Sequence, residues 1–136
     1  MTDRAEQDKR ADRQEEEEVR QLRKAGYVAY RVDREIDTYA SKDGKIWLCD
    51  NKYTDNDLFY IDYSDVAKGL DAVLAHAKSL NFAVPIYFRV WMHFARHRSK
   101  NKKYISIRED DRGFTIKVER TSTGRFVTSR VRRGKC

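Results

Sequence analysis

IDTYASKDGKIWLCDNKY, residues 36–53, reads as two extended runs joined at Asp43-Gly44. Both turn residues tolerate the positive φ that a two-residue loop demands, so the segment predicts a β-hairpin. Side chains alternate across a strand, which sets Ile46, Leu48, Asp50 and Lys52 on one face of the second run and Trp47, Cys49, Asn51 and Tyr53 on the other. A strand as apolar as IWLC should continue into apolar residues. Instead it places an acid and an amine side by side near its end, and Asp37 of the preceding run can lie beside them. Two carboxylates that converge on one point make a hard oxygen site suited to Mg2+, and a neighbouring ammonium orients water or steadies the charge that develops on a phosphate. That is an apparatus for phosphodiester hydrolysis. The competing reading is an Asp50–Lys52 pair on an exposed strand end, with Asp37 a turn residue.

Outside this stretch, composition narrows the answer. A chain of 136 residues predicts one domain with a real core. Two cysteines, Cys49 inside an apolar run and Cys136 at the end, give neither a disulfide framework nor metal-ligand spacing, which points to an intracellular, cytoplasmic protein. There is no apolar leader and no long apolar span, so neither secretion nor a membrane partner is expected. The net charge of +7 is concentrated. Residues 112–136 hold eight Lys or Arg against Glu119 alone, and Arg89–Lys103 holds Arg89, Arg96, Arg98, Lys100, Lys102 and Lys103 with no acid, interleaved with Trp91 and Phe94. Such asymmetry is the footprint of a polyanion binder; a solvated basic tail is the alternative.

In chain order, residues 1–13 offer only Ala5 and Ala11 to bury and read as a frayed or flexible extension, ahead of a single domain over 14–136. A helix is expected from Gln14 to Gly26, a suitable C-cap. Its inward stripe of Val19 and Leu22 extends back to Glu15, which singles out Glu15 among the acids Glu15–Glu18, with Glu18 on the edge of the same face. YVAYRV, residues 27–32, has strand propensity. Residues 54–63 read as a polar and aromatic connection ending at an N-cap, Asp62 or Ser64. Val66, Leu70, Val73, Leu74, Ala77 and Leu80 then recur at the helical period and predict a helix over 65–80, with Gly69 allowing close approach to a sheet. VPIYFRVWM, residues 84–92, predicts a buried strand, YISIR, residues 104–108, another, and the alternation of Phe114, Ile116 and Val118 before Ser122-Thr123-Gly124 a C-terminal β-hairpin within 112–136. The sum is an α/β domain with a mixed central sheet flanked by helices.

This order of elements resembles the PD-(D/E)xK nuclease superfamily and, within it, the archaeal-type Holliday junction resolvases. The similarity runs from about Gln14 to Arg108: KAGYVAYR resembles the family's helix end and first strand, the 36–53 hairpin carries its Asp to D-x-K interval, DLFYI precedes the second helix, and VPIYFRV resembles the apolar fourth strand. The resemblance implies a restriction-endonuclease-like core in which Asp37 and Asp50 ligate Mg2+, with Mn2+ able to substitute, Lys52 positions the attacking water, and Glu15 completes the site. It further implies a homodimer acting on branched or junction DNA. Contacts to that DNA are expected from Arg31, from Arg96, Arg98, Lys100, Lys102 and Lys103, and from Arg125, Arg130, Arg132 and Arg133. The family usually has Glu in the place of Asp50, and its resolvases tend to have a Gly/Ser-containing loop where this chain has only Val32 to Ile36. The shorter Asp50 would shift the metal toward the strand, although the superfamily pattern permits either acid, and the missing loop bears on four-way junction specificity more than on nuclease chemistry.

Two readings of different class are carried forward: a structure-selective DNA endonuclease, with nicking, restriction or homing substrates as variants, and a non-catalytic nucleic-acid-binding protein on the same fold. His93 and His97 stand four apart, as zinc ligands on a helix do, but no third ligand accompanies them. No glycine-rich phosphate loop or serine nucleophile motif is present.

Overall fold

The computed structural model describes residues 4–32 and 36–132, the side chains of 4–12, 14 and 132 excepted. Helix α1 (Arg4–Lys24) leads into β1 (Val28–Arg31), β2 (Thr38–Lys42), β3 (Lys45–Thr54) and β4 (Leu58–Ile61). Helix α2 (Tyr63–Ser79) follows, then β5 (Ile86–Phe94), β6 (Lys102–Ile107), β7 (Phe114–Arg120) and β8 (Phe126–Arg132). Helix α1 begins well before the expected Gln14, because Arg, Ala, Glu, Gln and Lys are good helix formers even where no apolar stripe requires burial. It ends as expected. Gly26, at φ 92°, lets the Tyr27 amide reach the Leu22 carbonyl and its own amide reach that of Arg23, a Schellman closure.

Five strands form a mixed sheet in the order β1-β2-β3-β5-β6, in which β3 and β5 are parallel and the other pairs antiparallel. The β2–β3 turn is the one expected, with Asp43 at φ 54° and Gly44 at φ 76°. Val19 and Leu22 of α1 pack on Ala29 and Ala40 on one face of this sheet, where small side chains let the helix approach. On the other face, Leu48, Phe88, Val90, Met92 and Ile107 meet Val66 and Leu70 of α2. The sheet thus lies between the two helices.

Residues 54–63 are not the plain connection expected. Leu58–Ile61 is a strand that pairs with β7 and closes a second, three-stranded sheet, β4-β7-β8. Four residues beside an acidic turn carry too short an alternation to signal a strand, and its partner lies far along the chain. The expected C-terminal hairpin is β7–β8, and its Ile116 and Val118 join the main core with Ile61. Asp62 caps α2 by accepting the Ser64 amide at 3.3 Å.

Gly69 sits where α2 crosses β5. A Cβ there would stand 2.2 Å from the Phe88 ring, which is itself almost fully buried. Gly69→Ala is therefore expected to destabilise the fold by about 1–3 kcal/mol, despite the better helix propensity of alanine, as an overpacked core does. Urea denaturation measures it; an unchanged or raised midpoint would mean the helix can lift away freely.

Candidate active site

Strand β3 outruns its neighbour. The β2–β3 ladder ends at Thr38↔Cys49, so beyond Cys49 the β2 side of β3 has no strand against it. Asp37 fills that gap. Its amide donates to the Cys49 carbonyl at 2.9 Å, its carbonyl accepts the Val32 amide at 2.7 Å, and its Oδ2 accepts the Asn51 amide at 2.8 Å. A carboxylate locked this way lies against Asp50, the next residue on β3.

Asp50 and Lys52 project on the α2 face, two residues apart. The Lys52 Nζ is 3.1 Å from Asp50 Oδ2 and 3.1 Å from Asp65 Oδ2 in the first turn of α2. Burial works against the ammonium, yet the two carboxylates hold its pKa above the ordinary lysine value. Burial also raises the Asp50 carboxyl, and the neighbouring Asp37 adds to it, to about 7. The Asp50–Lys52 pair on an exposed strand end is thus not what the fold presents: both are half-buried and turned inward.

Glu18 approaches from the opposite face. Its carboxyl is fully buried, and neither oxygen finds a hydrogen-bond donor among the described residues; Asn51 Oδ1 is orphaned in the same way. Loss of solvent pushes the Glu18 pKa up to about 8, with Tyr104 and Arg89 opposing and Asp37 reinforcing the shift. Glu15, the acid singled out from the sequence, is held by the Arg31 guanidinium at 2.6 Å. The helical stripe marks a face, and the face is wide enough that Glu18, one turn before Leu22, takes its buried centre.

As to holding a metal, no group of three His, Cys, Asp or Glu side chains among the described residues is arranged as a cage. Asp37 and Asp50 form a two-carboxylate site in which the Asp50 carboxyl is raised by burial and by Asp37, and Mg2+ is commonly held by one or two carboxylates while keeping several waters. These residues fit the ion. His93 is on β5 and His97 in the following loop, where it contacts Asp57 at 2.5 Å, so no helix aligns the two.

The basic residues divide by place. Arg96, Arg98 and Lys100 lie in the exposed loop after β5, at the same end of the sheet as Lys52, where the Ala95 amide donates to Thr54. Arg96 is 3.8 Å from Asp57. Lys102 and Lys103 begin β6, and Lys102 stands 5.4 Å from the Trp91 ring centre. Arg125 sits at the β7–β8 turn, whose Gly124 faces the Lys100 side chain, so loop and hairpin turn adjoin. Arg130 is held by Asp111 at 2.9 Å, at the other end of β8, and Arg31 by Glu15 and Glu16. The Arg132 side chain and Arg133 lie outside the described residues. Arg120, part of the same sequence run, is buried: it donates to the Lys100, Ser99 and Thr121 carbonyls and staples the loop to β7.

The chain is similar in structure to Hjc, a Holliday junction resolvase of the archaeal hyperthermophile Archaeoglobus fulgidus, with a TM-score of 0.51 and 17% identity over 88% of this chain and 82% of that one. The likeness shows a shared fold. No family model matches the sequence, and no curated protein is similar to it. No helix among the described residues is long and apolar enough to cross a membrane.

Sequence reasoning placed Asp37, Asp50 and Lys52 but missed Asp65, which meets Lys52 from α2. A helix that starts directly after DLFYI with an acid in its first turn was the available signal. A raised carboxyl pKa stabilises the folded chain only while the acid stays protonated. Below the ordinary values of 4.5 for Glu18 and 3.8 for Asp50 both states are protonated; above them the unfolded chain releases protons that folded Glu18 and Asp50 retain up to about 8 and 7. In chelator, stability should therefore fall as pH rises through that window, by roughly 1.4 kcal/mol per pH unit for each acid at most. Glu18→Gln should flatten the slope; thermal denaturation from pH 4.5 to 8 measures it, and a flat wild-type profile would count against the buried acid.

Proposed function

We propose that the chain is a Mg2+-dependent endonuclease that hydrolyses phosphodiester bonds in branched DNA, in the manner of a Holliday junction resolvase. The observation that carries this is the convergence of Asp37, Asp50 and Lys52 at the overhang of β3, in a fold shared with Hjc. Asp37 and Asp50 would hold the ion, with Mn2+ as a substitute, and Glu18 rather than Glu15 would complete the site from α1. A bound divalent ion supplies Lewis-acid stabilisation of the phosphate and an acidified water.

The protein's own part is positioning. A lysine held between two acids stays an ammonium at neutral pH, so Lys52 acts as a hydrogen-bond donor to water or to a phosphate oxygen and not as a general base. Asp65 aims it. A junction cut by symmetric nicks needs two sites, which favours a homodimer. Phosphates would be met first by the Arg96–Lys103 loop beside the site and by Arg125.

A nicking assay with and without Mg2+, on duplex, flap, fork and four-way junction DNA, tests the reading. Asp37→Asn and Asp50→Asn should each abolish cleavage while DNA binding is kept or improved, since a negative charge near phosphate is removed. Lys52→Ala should cut about 10²- to 10³-fold more slowly, the usual effect of deleting one transition-state donor. Glu18→Gln should slow cleavage more than Glu15→Gln. Wild-type rates in both aspartate variants would mean that the active-site assignment is wrong; a wild-type chain that binds these DNAs and cuts none of them would leave a non-catalytic DNA-binding protein on this fold.

The basic tail makes a separate prediction. If Arg125, Arg130, Arg132 and Arg133 meet phosphates, replacing them with Ala should flatten the slope of log affinity against log salt by roughly one unit for each phosphate that is no longer neutralised. Arg130, already paired with Asp111, should contribute least. An unchanged slope would move the DNA path wholly onto the Arg96–Lys103 loop.

A further inference from the structure

On the α1 face of the main sheet, strand alternation and register bring Trp47, Tyr87, Arg89, Trp91 and Tyr104 into one row. Trp47 and Tyr87 stack with centroids 6.1 Å apart and planes 29° from parallel. The Arg89 guanidinium lies 5.4 Å from the Trp47 ring and 4.9 Å from the Tyr104 ring, and Tyr104 stacks on Trp91 at 5.8 Å and 16°. Rings and cation therefore alternate. Helix α1 covers this face over β1 to β3 and leaves the β5–β6 margin open: Tyr87 is 42% and Tyr104 38% exposed. Beside Tyr87 runs a groove of about 210 Å³ lined by Lys45, Trp47, Ser106 and Arg108.

A sheet face meant only to be solvated has no use for such a row. Cross-strand aromatic pairs do stabilise sheets, but an exposed ring next to three cations matches a different demand, that of an unpaired nucleotide chain. Bases stack on aromatic side chains whatever their identity, while Lys and Arg track the backbone phosphates. Among the described residues Tyr87 meets a ring on one side only, that of Trp47. Lys45, Arg89 and Arg108 supply the positive charge. Of the α1 acids on this face, Glu17 reaches Lys102 and Glu18 reaches Tyr104, while Glu15 and Glu16 pair with Arg31 on β1. They stand at the α1 end, and the groove at the other end is lined by no acid. The row therefore leads from an open cationic groove toward Glu18 and Asp37.

We propose that this row, with Tyr87 at its exposed end, is a stacking platform for an unpaired single-stranded segment of DNA. The inference rests on the reading of the chain as a DNA endonuclease and narrows it: the preferred substrate is a branched DNA with a single-stranded arm or gap, gripped on the α1 face and led round the sheet margin at Asp37 to Asp50 on the α2 face.

The test is binding by the full-length chain in chelator, so that no cleavage is involved. A labelled oligothymidine is compared with a blunt duplex of equal length, and tryptophan emission is followed, since Trp47 and Trp91 are the two tryptophans of the protein and both belong to the row. Oligothymidine should quench that emission. Tyr87→Ala should weaken single-strand binding about tenfold, the loss of one stacked base, and Tyr87→Phe should leave it intact. Neither should change duplex binding. Unaltered single-strand affinity in Tyr87→Ala, or an equal loss on duplex, overturns the platform. If that happens in a chain that still cleaves branched DNA, the nuclease reading stands; a Tyr87-dependent single-strand affinity in a chain that cuts nothing leaves the platform standing without it.

Discussion

The extension of β3 past the start of β2 is the constraint on which the rest depends. A strand edge exposed inside a sheet must have its amides satisfied, and a backbone neighbour is the ordinary solution. Here the Asp37 side chain serves instead, accepting the Asn51 amide. The substitution puts a carboxylate where a strand would have been, next to Asp50 and close to Glu18.

The frame of the molecule was legible in the sequence for a physical reason. Asp43-Gly44 fixes the hairpin by backbone conformation, and hairpin register then decides which side chains share a face, so Asp50 and Lys52 could be placed before any tertiary contact was known. The period of Val66, Leu70 and Val73 likewise reports a buried helix face. What could not be read depends on long-range pairing. Strand β4 exists because β7 is there to bond it, and Leu58–Ile61 alone has no alternation long enough to announce it. Glu15 and Glu18 share one face of α1 a turn apart, and what separates them is long-range: Arg31 on β1 binds Glu15, while Glu18 is buried beside Tyr104.

Positive charge shows the same limit. Composition located the excess in two runs but treated its members as equals. In the fold, Arg120 is an internal staple, Arg112 is engaged by Glu109 and Asp71, and Arg130 is held by Asp111. The cations left on the surface near the acids belong to the loop after β5 and the β7–β8 turn. The Arg120 staple matters here, because it ties that loop to the second sheet and so fixes the exposed arginines relative to Lys52.

The two faces of the main sheet divide the labour. Lys52, Asp50 and Asp65 meet on the α2 face, while Glu18 and the aromatic row lie on the α1 face, and Asp37 at the sheet margin acts electrostatically on both Asp50 and Glu18. A polyanion that reaches the acids from either side must meet the cost of their mutual repulsion, which the free chain lowers by keeping protons on Asp50 and Glu18. A divalent cation held by Asp37 and Asp50, as proposed above, would take the place of those protons and lessen the repulsion of a phosphate. Carboxyl groups set this close by the fold give the site a reason to prefer a positive charge, while attraction of the DNA itself rests with the exposed cations around it.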